Sequence, residues 1–292
     1  MARPTTGRRI PRRAVVAGLL ATPFAARAGD GDDPRVGGFD IGTGDDGAGD
    51  DGWRIILGRP AVPPPPRGYG AIVALDGGAT FPKFRRLMPA DAPVLLAGVS
   101  YTGANRRWRD MTSLALAPVN PAVPAWSAPK DSVTGERDLF LTMIATRLLP
   151  ELHRLCPLDA DDLTLFGHSL GGLFVLHALF AQPRLFARYV AADPSTWWNA
   201  GEAAREAAAF AGGVRAAGGA LTPRRRLLLT RARWVGQGGH VGGVLIDPIL
   251  RRRLEAVPGL DFDYRLYPAE SHGSIVAPTM ARTLAMHGIA AQ

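Results

Sequence analysis

Short apolar runs bounded by turn-forming residues recur along the chain from residue 53 onward. Between them lie segments with helical spacing of apolar residues or a helix-favouring composition. The runs have the length of strands buried on both faces and occur at 53–57, 71–75, 94–99, 162–166, 189–192, 227–230 and 264–267. The predicted helices are at 136–155, 201–211, 244–256 and 276–287. Strands that alternate with helices predict one α/β domain over residues 52–292, with a mostly parallel sheet covered by helices on both faces.

The residues before this domain have a different composition. Residues 29–51 are rich in glycine and aspartate and cannot bury enough apolar surface to order themselves, so we predict a linker there. Phe39 and Ile41 are the exception, because these two apolar residues favour a short edge strand within the segment. Its acidic pairs lack the spacing of an EF-hand calcium loop, and a solvated turn is the better interpretation. Within the domain, residues 114–131 contain four prolines and no periodicity, which predicts a long loop.

Positive charge is concentrated at the amino terminus. The formal net charge is +8, but residues 1–28 contain six arginines and no acidic residue, which leaves 28 basic against 26 acidic residues in the remainder. A nearly neutral domain gives no reason to expect nucleic-acid binding. An apolar run over 14–25 follows the basic start. It is too short to span a membrane and is typical of an export signal over residues 1–28.

The arginine pairs at positions 8 and 9 and at 12 and 13 also fit a twin-arginine export signal. We therefore expect a periplasmic or secreted protein, with no stable membrane insertion once the signal is removed. An uncleaved amphipathic helix at the amino terminus is the alternative interpretation.

A serine stands at the centre of the chain's most regular pattern. Residues 163–176 run from an apolar stretch through Gly167-His-Ser-Leu-Gly171 into a second apolar stretch with helical spacing. Between a strand and a helix, a Gly-x-Ser-x-Gly turn exposes the serine hydroxyl on strained backbone, where it can act as a nucleophile. Such a pattern also arises by chance in a chain with 35 glycines, but its context favours Ser169 as a nucleophile.

A serine hydroxyl needs a base to take its proton, and histidine has a suitable pKa at neutral pH. His272 lies on a predicted loop between the last strand and the last helix, after the nucleophile in the chain. His240, in a glycine-rich stretch without a preceding strand, is the alternative, and His168 has to point away from the serine beside it. We predict that His272 deprotonates Ser169 and later protonates the leaving group.

The acid that would orient the histidine is not evident. It is expected after the strand at 227–230, yet residues 231–240 contain no carboxylate and the first acid is Asp247. Glu270 is near His272 in the sequence but could point away. Either a serine–histidine dyad operates, or the acid comes from an unusual place such as Asp193.

Backbone amides are expected to stabilise the oxyanion. The N–H of Leu170, directly after the nucleophile, is the first predicted donor. The second is expected near Gly77, where Asp76-Gly77-Gly78 follows an early strand and leaves the backbone uncovered. A simple tight turn explains these two glycines equally well.

Four groups of residues occur in a fixed order along the chain. One group consists of the nucleophile segment 167–180 together with the run that follows it, Ala191-Ala-Asp-Pro-Ser-Thr-Trp-Trp198. Leu75-Asp-Gly77 and Arg107-Trp-Arg-Asp-Met-Thr112 precede it, and His272-Gly273 comes last. Together they resemble the esterase D and ferric enterochelin esterase family of α/β-hydrolases, over residues 39–290.

This resemblance implies a single α/β-hydrolase domain and a serine carboxylic-ester hydrolase that cleaves ester or lactone bonds, best known in catecholate siderophores. The same fold group includes feruloyl-type carbohydrate esterases and acyltransferases. Asp193 departs from the family, which usually has serine there. Because the acid position looks vacant, a hydrolase-fold binding protein that has lost catalysis is the alternative from another class. We expect a small-molecule ester as the partner and no metal or organic cofactor.

An anionic aromatic substrate would suit several residues near these motifs. Arg107, with its neighbours Arg106 and Arg109, could supply positive charge, and Trp197 and Trp198, with Trp108, could offer stacking faces. The alternative is that the tryptophans pack in the core and the arginines coat the surface.

Overall fold

A single eight-stranded sheet organises the molecule. The computed structural model describes residues 33–43, 51–116, 132–233 and 241–292, with backbone alone over 241–246. The strands are Val36–Gly42 (β1), Gly52–Gly58 (β2), Tyr69–Leu75 (β3), Val94–Tyr101 (β4), Leu158–His168 (β5), Arg188–Ala192 (β6), Arg225–Ala232 (β7) and Leu260–Tyr267 (β8). Their order is β1-β2-β4-β3-β5-β6-β7-β8. Only the pairs β1–β2 and β2–β4 are antiparallel in this described sheet, which confirms the predicted mostly parallel α/β fold.

The edge strand that Phe39 and Ile41 suggested is β1, and both side chains are buried. The sheet therefore begins inside the segment 29–51 that composition predicts as a linker, ahead of the domain start expected at residue 52. The predicted export signal at 1–28 lies outside the described residues.

Helices cover both faces of the sheet. They are Gly77–Leu87 (α1), Arg107–Met111 (α2), Arg137–Met143 (α3), Leu149–Leu155 (α4), Leu170–Ala181 (α5), Glu202–Ala216 (α6), Val241–Glu255 (α7) and Val276–Ala285 (α8). A π-helical turn, Ile144–Leu148, joins α3 to α4, so the helix predicted at 136–155 is one continuous helical segment. The sequence pattern did not predict α1 or α2. No helix in the described ranges is both long and apolar enough to cross a membrane.

Strand β3 shows how the two layers of core form. Every residue of β3 is buried, and successive side chains point to opposite faces. Ala71, Val73 and Leu75 pack with α5 and α6, whereas Ile72 and Ala74 pack with α1 and α8. A strand with apolar residues at every position is what a sheet sandwiched between helices requires.

The register of the parallel strands brings their carboxyl ends to one level. His168 of β5 is paired with Ala192 of β6, and Ala192 with Thr230 of β7. The next residue on each strand, Ser169, Asp193 or Arg231, therefore lies at the same edge of the sheet. Ligands of open α/β sheets bind outside the carboxyl ends of the strands, so this edge is where a site is expected.

Candidate active site

Ser169 sits on strained backbone between β5 and α5. Its φ is 60° and its ψ is −116°, a combination that a residue with a side chain seldom adopts. The turn is tight enough that a Cβ on Gly167 would collide with the backbone of Gly171, which explains the first glycine of the pattern. Helix α5 that follows is apolar on every side, and ten of its twelve residues are buried. A rigid, buried helix thus holds the strained serine in place.

The serine turn is bonded to the turn that follows β6. Ser169 donates its backbone N–H to Ala192 O at 3.0 Å, and Ser195 donates its backbone N–H to Ser169 O at 3.0 Å. The two hydroxyls are also hydrogen-bonded, with Ser169 Oγ 3.3 Å from Ser195 Oγ. Any movement of the 193–195 turn would therefore also move Ser169.

Asp193 and His272 meet beside this turn, although 79 residues separate them in the chain. His272 Nδ1 lies 2.6 Å from Asp193 Oδ2, and the Asp193 side chain is only 5% exposed. Burial raises the pKa of the Asp193 carboxyl, but the hydrogen bond from His272 and the charge of Arg231 outweigh it and hold the pKa below its usual range. Asp193 is therefore ionised at neutral pH and fixes the His272 ring with Nδ1 as the donor. The other ring nitrogen, Nε2, is then the one available to accept a hydrogen bond.

The two other acids considered for this role make different contacts. Asp247 accepts hydrogen bonds from Arg231 at 2.6 Å and from Thr196 Oγ1 at 2.9 Å. Glu270 donates its backbone N–H to Tyr267 O, and no bond joins its carboxylate to His272 in the part of the chain that the structure describes. Of the three acids, Asp193 is the one that the fold brings to His272. The alternative base, His240, lies outside the described residues.

His168 points away from the serine hydroxyl, as expected, and towards the histidine loop. Its Nε2 is 2.7 Å from the backbone oxygen of His272, and the two rings are 4.5 Å apart. Burial, with a smaller effect of the neighbouring His272, lowers the pKa of His168 to about 4. His168 is thus neutral at pH 7 and donates from Nε2.

The two predicted oxyanion donors both begin helices. Leu170 is the first residue of α5 and Gly77 the first residue of α1, and the N–H groups of a helix's first turn have no partner within the helix. The two helix ends are neighbours, because a Cβ on Gly171 would lie 3.4 Å from Asp76 Oδ2. Asp76-Gly77-Gly78 is thus a helix start and not the simple tight turn considered above. A role of the Leu170 and Gly77 amides in catalysis stays a prediction.

The arginines considered for substrate binding are paired with acids. Arg107 binds Asp76 through two hydrogen bonds of 2.9 and 3.2 Å, and it also donates to His168 O at 3.3 Å. Arg106 is 8% exposed and forms ion pairs with Asp51, Asp110 and Glu136, and Arg109 pairs with Asp51 and Glu136. These pairs leave little free positive charge for an anionic substrate.

The tryptophans are mostly packing residues. Trp198 is 2% exposed, its ring lies 5.7 Å from that of Trp108, and its Nε1 donates to Ser113 Oγ at 3.0 Å. It has no open face for a substrate, so the packing alternative is correct for this residue. Trp197 is partly exposed and packs edge-on against Trp198.

Sequence reasoning missed the role of two residues in this site. Arg231 lies between Asp193 and Asp247, and Ser195 is bonded to Ser169. Arg231 directly follows the strand at 227–230, which is the position where the sequence pattern predicts an acid. Ser195 lies within the run 191–198 that carries the family resemblance, but that run gives no indication of a contact with Ser169.

The parallel sheet, the serine turn between β5 and α5, and a histidine loop after the last strand together define an α/β-hydrolase domain. The chain belongs to the Esterase family, described as "Putative esterase", whose profile matches residues 54–217. This result confirms the resemblance inferred from the four motifs.

Three similar proteins illustrate the relationship. The ferri-bacillibactin esterase BesA of Bacillus subtilis is 32% identical over 163 residues, which cover 50% of this chain and 55% of BesA. The siderophore enterobactin esterase of Emericella nidulans is 34% identical over 158 residues, which cover 49% of this chain and 52% of that protein. The chain thus spans about half the length of these curated relatives. The crystal structure of the BES protein from Bacillus cereus shares the fold, with a TM-score of 0.70 and 24% identity over 87% of this chain and 96% of that one.

Proposed function

We propose that this protein is an exported serine esterase that hydrolyses the ester or lactone bonds of a siderophore, with Ser169 as nucleophile, His272 as base and Asp193 as the acid. The observation that carries the proposal is the 2.6 Å bond between Asp193 and His272, at the same sheet edge as the strained Ser169. Nucleophile, base and orienting acid then follow the logic of a catalytic triad, although the acid follows β6 and not β7.

The proposed reaction uses the chain's own residues at each step. Ser169 Oγ turns from Ser195 towards His272 Nε2, gives up its proton and attacks the ester carbonyl. The N–H groups of Leu170 and Gly77 would stabilise the oxyanion, and the negative charge of Asp193 would stabilise the imidazolium of His272. His272 then protonates the leaving alcohol. In the second half of the reaction water takes the place of the alcohol: His272 accepts its proton as it attacks the acyl carbonyl, and Ser169 leaves with that proton.

The substrate class rests on the relatives. Two similar proteins are named as esterases of bacillibactin and enterobactin siderophores. Arginines such as Arg106 and Arg109 do not add to this, since acidic side chains already neutralise them. Arg107 and Trp197 are the predicted substrate-binding residues that keep some exposure.

The alternatives keep the same site. An acyltransferase or a feruloyl-type carbohydrate esterase would use the same three residues with another acceptor or acyl group, so product analysis separates them. A binding protein without catalysis is the alternative that a vacant acid position would favour, and the contact between Asp193 and His272 supports the esterase instead.

Export is proposed from residues 1–28 alone. Expression of the full chain in a bacterial host, followed by amino-terminal sequencing of the protein outside the cytoplasm, tests it. The expected mature protein starts near residue 29. An intact Met1 in the cytoplasmic fraction would contradict export without affecting the proposed chemistry.

Labelling with a fluorophosphonate probe tests the catalytic proposal. The wild-type protein is expected to react and Ser169→Ala to lose all labelling, whereas Ser195→Ala, which removes the neighbouring hydroxyl, should still react. Hydrolysis of trilactone siderophores, feruloyl sugars and short acyl esters by the unlabelled wild-type enzyme, with Ser169→Ala as the blank, then identifies the substrate. A folded wild type that is not labelled would favour a binding protein.

A further inference from the structure

An arginine occupies the position where the triad acid was expected. Arg231 follows Thr230 at the carboxyl end of β7, and its side chain is 12% exposed. One guanidinium nitrogen is 3.1 Å from Asp193 Oδ1 and 2.6 Å from Pro194 O. A second nitrogen is 2.6 Å from Asp247 Oδ1, and the third also pairs with Asp247. The guanidinium thus joins the turn after β6 to helix α7.

These contacts determine which oxygen of Asp193 meets the histidine. Asp193 Oδ1 accepts from Arg231 and, at 3.4 Å, from the backbone N–H of Ala232. Oδ2 is left for His272 Nδ1. One nitrogen of the planar guanidinium donates to Asp193, while Thr196 and Asp247 hold its other nitrogens, so the donor that meets Asp193 points in a fixed direction that a lysine ammonium cannot reproduce.

Asp247 changes the charge of the arrangement. Asp193 and Arg231 alone would form a neutral pair, and a neutral pair would do little to stabilise a positive imidazolium. Asp247, which is 17% exposed, adds a second negative charge on the far side of the guanidinium. The set of Asp193, Arg231 and Asp247 then carries a net charge of −1, in a partly desolvated place where charge acts strongly.

We propose that Arg231 and Asp247 are positioning residues of the active site: Arg231 orients Asp193 towards His272, and Asp247 restores the negative charge that Arg231 would otherwise cancel. The inference rests on the proposed esterase function. The other charged or titratable groups that face this set are His168 after β5, Arg107 on α2, Tyr264 on β8 and Arg251 on α7. None of them is altered in the variants below, so they contribute equally to each comparison.

Three variants separate orientation from charge. Arg231→Lys keeps the net charge but loses the planar set of donors, so we expect kcat to fall about 10- to 100-fold. The low-pH limb of the pH–kcat/KM profile, which reports protonation of the proposed base His272, should stay in place. Asp247→Asn removes one negative charge, and we expect this limb to move to lower pH by about half a pH unit. The double variant Arg231→Met with Asp247→Asn again carries a net charge of −1. Its limb should return to the wild-type position, while kcat stays as low as in Arg231→Lys.

Asp162→Asn is the matched control. Asp162 forms a partly buried ion pair with Arg188 near the amino ends of β5 and β6, away from the site at their carboxyl ends. Its substitution therefore also removes an aspartate–arginine pair. We expect this variant to melt at a lower temperature without any movement of the pH limb. Kinetics use a chromogenic short-chain ester, and circular dichroism verifies that each variant is folded.

The outcomes distinguish this inference from the proposed function. If the wild type hydrolyses the ester and Ser169→Ala does not, the proposed function stands, whatever the positioning variants do. A limb that does not move in Asp247→Asn, or wild-type kcat in Arg231→Lys, would then overturn the positioning roles alone. Arg231→Lys retains the buried charge and is the variant best placed to fold if the double variant does not.

Discussion

The imidazole rings of His168 and His272 lie 4.5 Å apart with their planes tilted by 40°, and His168 Nε2 donates to the backbone oxygen of His272 at 2.7 Å. The residue before the nucleophile thus holds the loop that carries the proposed base. His168 can do so without opposing protonation of His272, because burial keeps it neutral at pH 7.

Two substitutions at His168 should separate the hydrogen bond from the ring contact. His168→Phe keeps a ring and loses the donor, so we expect kcat/KM to fall about fivefold to tenfold, the worth of one hydrogen bond. His168→Gln keeps an N–H donor and should lose less. Steady-state kinetics on a chromogenic ester measure both. A smaller loss in His168→Phe than in His168→Gln would mean that the ring contact, not the hydrogen bond, positions the loop.

His168 also predicts how stability depends on pH. Its pKa is about 4 in the folded chain, below the value of about 6.5 for an unperturbed histidine. The unfolded chain therefore binds a proton first as the pH falls, so this contribution to stability is complete above pH 6.5 and is lost progressively towards pH 4. We expect the drop in melting temperature between pH 7 and pH 4.5 to be smaller in His168→Gln than in the wild type. Identical drops would contradict the low pKa.

Asp193 is expected to matter far more than the acid nearest to His272 in the sequence. Asp193→Asn keeps the shape but would favour the wrong histidine tautomer, so we expect kcat to fall several thousandfold. Glu270→Gln should stay within about twofold, because its carboxylate has no bond to the site within the described residues. Turnover of one ester substrate by both variants measures this. A large loss in Glu270→Gln would contradict the assignment of the acid.

The elements that carry the site could be predicted where local pattern determines structure. Strands β3, β4, β5 and β7 are apolar runs bounded by turns, and the serine turn joins a strand to a helix, so both are visible in the sequence. The sequence pattern does not predict helix α1, because the helix begins with two glycines and contains Pro82, and glycine and proline both have low helix propensity. Its formation is favoured by burial of Phe81 and Phe84 against the sheet, which is a tertiary effect.

The acid could not be read from the sequence for a different reason. Asp193 reaches His272 across the end of β7, so their contact depends on the strand order β6-β7-β8 and on the level at which the strands end. Neither is encoded in local spacing. The same applies to Arg231 and Asp247, whose pairing depends on where α7 packs.

Gly77 and Gly78 offer a matched test of why glycine begins α1. A Cβ on Gly77 would lie 2.6 Å from the backbone carbon of Gly98, whereas a Cβ on Gly78 would meet nothing closer than Ser100 Oγ at 3.5 Å. We expect Gly77→Ala to lower the free energy of unfolding by about 1–3 kcal/mol. Gly78→Ala should leave it unchanged or raise it by up to about 1 kcal/mol, because alanine favours helix. Urea denaturation compares them, and equal effects would mean that close packing against β4 is not the reason for Gly77.

Ser195 provides a final test of how the nucleophile is released. Its hydroxyl is buried and lies 3.3 Å from Ser169 Oγ, so in this arrangement the nucleophile is bonded to a neighbour and not to the proposed base. If Ser195 only holds the resting hydroxyl, Ser195→Ala removes a bond that must break before attack, and kcat should rise by no more than about fivefold. If Ser195 instead donates to the oxyanion, kcat should fall by about 100-fold or more. The position of Leu170 and Gly77 at two adjacent helix starts favours the first outcome, because backbone amides are already available there for the oxyanion.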